Sequence, residues 1–297
     1  MHRVREVVVD AGGAGDYTSL QQALDATTPE WGPLRIRLRN GTYTEKVVIP
    51  AGRAVHISGE SADRTVVAFD DFAGRTHADG RPLGTFRTAS CTVHADGVRI
   101  EDLTIANTAG AVGQAVALAV YGADAQFRRV RLLGYQDTLL TAGCGPQYYG
   151  DCYIEGRVDY IFGPAPAVFD RCHVHSVDHG YVTAASTPVD VPSGYVFYRC
   201  RLTAPETAAG RVYLGRPWRG HAAVAFVDCE LGTHIRPEGW HNWNAPEREH
   251  TARYAEYGSR GPGAEAAARV PWAICRPLAD VPPELAGVLQ PLGFQRP

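Results

Sequence analysis

A four-residue phrase returns six times along this chain of 297 residues: an aromatic or aliphatic residue, two largely polar residues, then a small apolar one. The copies end at Leu103, Val130, Cys152, Cys172, Cys200 and Cys229, so they step by 27, 22, 20, 28 and 29 residues. A fixed phrase with variable intervals of this size predicts a solenoid whose coils share one strand and differ in their loops. The simplest such architecture is a right-handed parallel β-helix with about three short strands per coil. Equivalent residues of successive coils would then stack at the strand spacing of about 4.7 to 4.9 Å and form ladders. Cys152, Cys172, Cys200 and Cys229 share one rung position, which reads as buried packing by a small hydrophobe. The Phe and Tyr residues that open the phrases read as a core ladder in the same way.

The flanking segments fit this plan. Val7 to Val9 predict a strand, and a glycine turn, a Thr18 or Ser19 cap and apolar Leu20, Ala23 and Leu24 predict one short N-terminal helix. Leu34 to Leu38 alternates apolar residues with arginine, and further strands are expected at Tyr43 to Ile49 and Val55 to Ser58. No convincing helical period follows until about residue 236. From residue 237 onward the chain is rich in aromatics, Gly and Pro, which predicts capping loops and a short helix near 264 to 269. The expected class is all-β, as one domain over residues 1–297.

A net charge of −3 with scattered arginines gives no footprint for nucleic acid or an anionic membrane. No apolar run approaches the roughly 18 residues of a membrane helix. The seven cysteines include no CxxC pair of the kind that binds zinc or does redox chemistry, and at least one thiol stays unpaired.

Two acids stand out. Asp137 lies seven residues past Val130 and Asp159 seven past Cys152, so both take the same offset in their coils. Stacking would set them about one strand spacing apart, where two carboxylates titrate as a pair and share a proton, one serving as base or nucleophile and the other as acid. Spacing alone is equally compatible with two turn-forming aspartates.

The surrounding phrases narrow the choice. QAVAL at 114–118, GYQDTL at 134–139, DYIFG at 159–163, LGRPW at 214–218 and GTYTE at 41–45 together resemble the pectin methylesterase family of carbohydrate esterases. The likeness runs from DAGGAGDYTSLQQALDA to YAEYGSRGPGAEAAARVPW, most of the chain. It implies that Asp159 is the nucleophile attacking methyl-esterified galacturonate and that Asp137 is the general acid and base. Gln114 and Gln136 would donate to the oxyanion, and Arg216 would hold Asp159 ionised and oriented. Trp218 would offer a sugar-stacking face, with Tyr135 and Phe162 as further substrate contacts; Tyr135, Phe162, Tyr181 and Trp240 are cleft aromatics that core and cap packing explains equally well. The implied partner is methyl-esterified homogalacturonan, with no metal or organic cofactor; the enzyme is expected to be a monomer.

The sequence also departs from the family pattern. Tyr160 stands where phenylalanine is common, Leu140 replaces a frequent tyrosine, and Gly145-Pro146 precedes Gln147 where an arginine is common, which leaves substrate contacts there open. His173 and His175 fall on one outer face with His179 nearby, but no third and fourth ligand for zinc is evident. The alternatives are another carboxylic ester or thioester hydrolase, a polysaccharide hydrolase or lyase on the same fold, and a silent polysaccharide-binding solenoid. A polymeric substrate implies extracellular action, yet MHRVREVVVDAGG lacks the apolar core of a secretion signal. Either a leader has been removed or the protein is cytoplasmic.

Overall fold

The structure is a computed structural model that describes residues 4–27 and 32–296. Met1 to Arg3, part of the N-terminal segment weighed as a leader, lie outside them. The chain packs as two compact units, Met1–Gln147 and Tyr148–Pro297.

In the first unit three ladders of parallel strands run side by side through successive coils. One joins Arg5–Val9, Leu34–Leu38, Val55–Gly59, Arg99–Glu101 and Ala125–Arg128. The second joins Gly41–Thr44, Thr65–Phe69, Thr104–Asn107 and Arg131–Leu133. The third joins Val47–Ile49, Cys91–Val93, Leu118–Val120 and Leu139–Thr141. The alternation read at Leu34 to Leu38 is real: Leu34, Ile36 and Leu38 are buried and both arginines face out. The run expected as one strand over Tyr43 to Ile49 is divided between two faces, because the chain turns a corner at Glu45 and Lys46. Glu45 has a structural task there. Its carboxylate accepts from Ser19 Oγ, Leu20 N and Gln21 N at 2.7, 2.8 and 3.0 Å, while Ser19 caps the helix Leu20–Asp25 through Gln22 N.

The second unit repeats the design with longer strands. One ladder joins Ala167–Asp170, Tyr195–Tyr198, Ala223–Val227, Arg253–Tyr257 and Ile274–Arg276. Tyr153–Gly163 pairs with His173–Ala185, which pairs in turn with Arg201–Thr203 along its first half and Val212–Gly215 along its second. The phrase aromatics stack face to face: Tyr149 on Phe169 at 4.9 Å, Phe169 on Phe197 at 4.4 Å and Phe197 on Phe226 at 4.5 Å, all within 11° of parallel. Cys172, Cys200 and Cys229 each donate to the backbone oxygen of the aromatic one coil before, at 3.2 to 3.4 Å. All seven cysteines are free thiols.

The phrase has a backbone reason that its chemistry does not announce. Its third residue is left-handed in every copy, with φ between 51° and 59° at Asp102, Arg129, Asp151, Arg171, Arg199 and Asp228. A non-glycine residue there costs about 1 kcal/mol, and the corner it makes starts the next face of the coil. Opposite charges meet at several of these corners: Arg129 grips Asp102 at 2.6 Å and Arg171 grips Asp151 at 2.9 Å. Half-exposed pairs of this kind contribute at most about 1 kcal/mol each.

The C-terminal helix is displaced from its expected place. Ala266–Ala268 forms one 3-10 turn, whereas the helix runs over Pro283–Leu289. Arg269 ends the first: it is drawn inward to Glu256 at 2.7 and 3.1 Å and to the backbone oxygens of Arg236 and Pro237. The second has Pro at its first turn and buries Leu289, with Val281 and Phe294, against Val196, Tyr198, Ala225, Val227, Ala255 and Tyr257.

Candidate active site

In the second unit, the strand Tyr153–Gly163 breaks register with its neighbour between Gly156 and Val158 and again between Val158 and Ile161. Asp159 sits in that irregular stretch with φ 51°, a conformation Asp tolerates better than most residues. The bulge re-aims a carboxylate that is only 6% exposed.

Arg216 meets it from 57 residues downstream, donating through Nε to Oδ1 at 2.9 Å and through Nη2 to Oδ2 at 2.7 Å. The LGRPW phrase fixes this placement through its backbone, since Arg216 N donates to Thr183 O and Trp218 N to Ala185 O, both at 2.9 Å. Gly215 has to be glycine, because a Cβ there would lie 1.9 Å from Thr183 Oγ1. The guanidinium faces are covered as well: Arg216 lies 3.8 Å over the Tyr181 ring and 3.8 Å over the Trp243 ring. Aromatic faces on both sides hold the fork flat and keep its donors aimed at Asp159.

Burial raises the Asp159 carboxyl above its ordinary value, and the Arg216 bonds and charge pull it back without cancelling the shift. The expectation that Arg216 keeps Asp159 ionised therefore describes one of two opposed effects, and burial is the larger. Burial, with Arg216 and Arg236 nearby, also lowers the His241 pKa.

The aromatic candidates divide. Trp218 is half-buried and tilts against Phe162 at 6.0 Å, while Phe162 itself is buried beneath it. Tyr181 is half-buried and stacks on Tyr213 at 5.3 Å. Trp240 is fully buried, packed on Tyr254 at 4.4 Å and Phe226 at 5.9 Å, so it extends the core stack. Trp243 escaped the sequence reading. It lies in a stretch taken for capping loops, and its signal was a tight turn, since Trp243 and Asn244 are both left-handed and Asn242 accepts from Asn244 N at 2.9 Å.

In the first unit, Gln114 and Gln136 are bridge partners on neighbouring coils, and Ala115 N donates to Gln136 O at 3.0 Å. Both glutamines and Tyr135 are half-buried. Asp137 follows directly, 8% exposed and left-handed with φ 64°. Each aspartate thus has the same backbone character within its own unit. His173 and His175 lie on the outer face of the second unit, where both contact the Thr203 hydroxyl at 2.7 and 2.8 Å. Among the described residues no group of three or more His, Cys, Asp or Glu side chains is arranged to hold a metal.

A buried carboxylate held by a bidentate arginine suits nucleophilic attack on a carbonyl carbon. A family model described as Pectinesterase matches residues 6–282, a span that runs through both units. The chain is 38% identical to Pectinesterase 31 of Arabidopsis thaliana, over 94% of this chain and 90% of that one. Among solved structures, pectin methylesterase from carrot superposes with a TM-score of 0.84 at 30% identity, covering 91% of this chain and 87% of that one. A pectin methylesterase crystallised in complex with a hexasaccharide superposes with a TM-score of 0.82 at 26% identity, covering 98% of each.

Proposed function

The chain belongs to the pectinesterase family of parallel β-helix carboxylic ester hydrolases, which remove methyl esters from pectin, and we propose that Asp159 is the nucleophile of this reaction. The observation that carries the assignment is the pair of bonds from Arg216 to both oxygens of a buried Asp159. Fixed donors on one side leave the carboxylate a single free direction of attack.

In the proposed sequence an Asp159 oxygen adds to the ester carbonyl carbon of a methyl galacturonate unit. Negative charge moves to the carbonyl oxygen, where the Gln114 and Gln136 amides donate to it. Asp137, protonated, gives its proton to the departing methanol and leaves an anhydride between Asp159 and the substrate acyl group. Asp137, now a carboxylate, takes a proton from water as the water adds to the substrate acyl carbon. The intermediate collapses to a free galacturonate and regenerates Asp159. Trp218 and Tyr135 support the sugar chain in this reading, and Phe162 backs Trp218 from beneath. Residues 1–297 act as one esterase domain, as the span of the family match supports. The substrate is methyl-esterified homogalacturonan, met outside the cell by a monomer.

The test is methanol release from pectin, measured beside solution viscosity and the absorbance of unsaturated products. Methanol release at constant viscosity is expected. Falling viscosity or rising absorbance without methanol would sink the reading in favour of backbone cleavage.

A further inference from the structure

In the second unit, two consecutive backbone donors are each caught by the side chain two residues back. Asn244 N donates to Asn242 Oδ1 at 2.9 Å, and Trp243 N donates to His241 Nδ1 at 3.0 Å. A backbone N–H can only donate, so Nδ1 is bare and the ring proton of the neutral imidazole sits on Nε2. Asparagine does this job at any ordinary pH. Histidine does it only while Nδ1 is unprotonated.

What the second bond holds is the cover of the arginine. Trp243 is left-handed with φ 64°, a conformation that a bulky residue keeps only when its surroundings impose it. So placed, its ring lies 3.8 Å from the guanidinium of Arg216, which donates to both oxygens of Asp159. His241 is itself anchored beside Arg216, since its N donates to Gly215 O at 3.1 Å. The imidazole stands edge-on to the Tyr181 ring at 5.6 Å and to the Tyr213 ring at 5.2 Å, and Tyr181 is the other ring on Arg216.

A proton on Nδ1 would set two donors against each other and end the bond to Trp243. The titratable and charged groups around the imidazole are Tyr181, Tyr213, Arg216 and Arg236. The acids nearby are engaged: Asp159 by Arg216, Glu238 by Arg236 at 3.3 Å, and Glu249 by the Asn242 amide at 2.7 Å. Burial disfavours the imidazolium and the positive charges of Arg216 and Arg236 add to this, so His241 titrates below the ordinary histidine value of 6.5. The acceptor is therefore kept bare at neutral pH and is lost only toward acid.

We propose that His241 is a positioning residue for ester cleavage, holding Trp243 over Arg216 while Nδ1 is bare and releasing it when Nδ1 takes a proton, so that turnover is switched off toward acid pH. This rests on the reading of Asp159 as the ester-cleaving nucleophile.

His241→Phe keeps a flat ring against the two tyrosines and removes the acceptor. Its kcat at neutral pH should fall about fivefold, the factor that loss of one neutral hydrogen bond corresponds to. His241→Asn restores an acceptor that does not titrate and should recover most of that loss. Both enzymes share Asp137 and Asp159, so the ratio of kcat in His241→Asn to kcat in the wild type cancels their titration. It should rise about fivefold as pH falls through the His241 value, with little change in KM. The Trp243 indole N–H resonance, assigned by its loss in Trp243→Leu, should shift with the same midpoint in the wild type and stay fixed in His241→Asn. A ratio flat with pH, undiminished kcat in His241→Phe, an effect confined to KM, or an indole resonance that shifts equally in His241→Asn would overturn the role. If His241→Phe fails to fold, His241→Asn decides. The resonance needs no substrate, so absence of methanol release would overturn the esterase reading while the resonance still judges the hold on Trp243.

Discussion

Arg216 and Asp159 close a two-point clamp across 57 residues of chain, with donor to acceptor distances of 2.9 and 2.7 Å. The clamp is tight because the backbone of Arg216 is itself pinned to Thr183 and its guanidinium is sandwiched between Tyr181 and Trp243. Asp159→Ala should lower methanol release by at least about a thousandfold while the melting temperature shows a folded protein, since the attacking oxygen is gone but the bulged strand remains. Retained turnover would show that the nucleophile lies elsewhere.

Arg216→Lys keeps the charge and loses both the fork and the flat stacking surface. It should reduce kcat about a hundredfold with a smaller change in KM, because the loss is in orientation of the nucleophile. Trp243→Leu removes one face of the sandwich and should lower kcat by a smaller factor in the same direction. Steady-state kinetics on one pectin substrate measures both, and a pure KM effect would contradict the positioning role.

The raised pKa of Asp159 sets two pH dependences of opposite sense. Attack needs the carboxylate, so the acid limb of kcat/KM should lie above the ordinary Asp value of 3.8. For stability the folded protein binds this proton more readily than the unfolded chain does. The contribution of this group is fully present below the unfolded value of about 3.9 and is lost as pH rises through the higher folded value. Asp159→Asn cannot titrate, so its melting temperature relative to wild type should rise across that window. A difference that is flat with pH would contradict the shift.

Glu45→Ala should cost about 1 to 2 kcal/mol in a denaturant titration and leave kcat nearly intact. Its three bonds to Ser19, Leu20 and Gln21 anchor the N-terminal helix in the first unit. A variant as stable as wild type would show that the cap is replaced by solvent.

Thiol reagents give a direct reading of the ladders. Cys144 is exposed and should react at once, and Cys275 is partly buried, with a thiol pushed up to about 11 by burial. Cys91, Cys152, Cys172, Cys200 and Cys229 are buried and should react only on unfolding. Fast labelling of more than two thiols in the native protein would contradict the packing.

Much of this protein was legible in the residues alone, and the reason is dimensional. In a solenoid the neighbour of a rung residue is its counterpart one coil away, so a recurring phrase reports both the strand and its packing. The Phe and Cys ladders and the parallel strands followed from that periodicity, and the short N-terminal helix followed from its own apolar spacing, with Thr18 and Ser19 as alternative caps. The chemistry of Asp159 and Arg216 did not: spacing left turn aspartates as an equal reading, and family phrases were needed to prefer a nucleophile. Tertiary structure alone decided what periodicity does not reach. Trp240 enters the core while Trp243, three residues on and itself left-handed together with Asn244, covers Arg216. The C-terminal helix forms at Pro283–Leu289, where a sheet face needs covering, and stops short at Ala266–Ala268, where Arg269 is pulled to Glu256. The left-handed corners of the phrase were equally invisible, since Asp and Arg seldom announce positive φ.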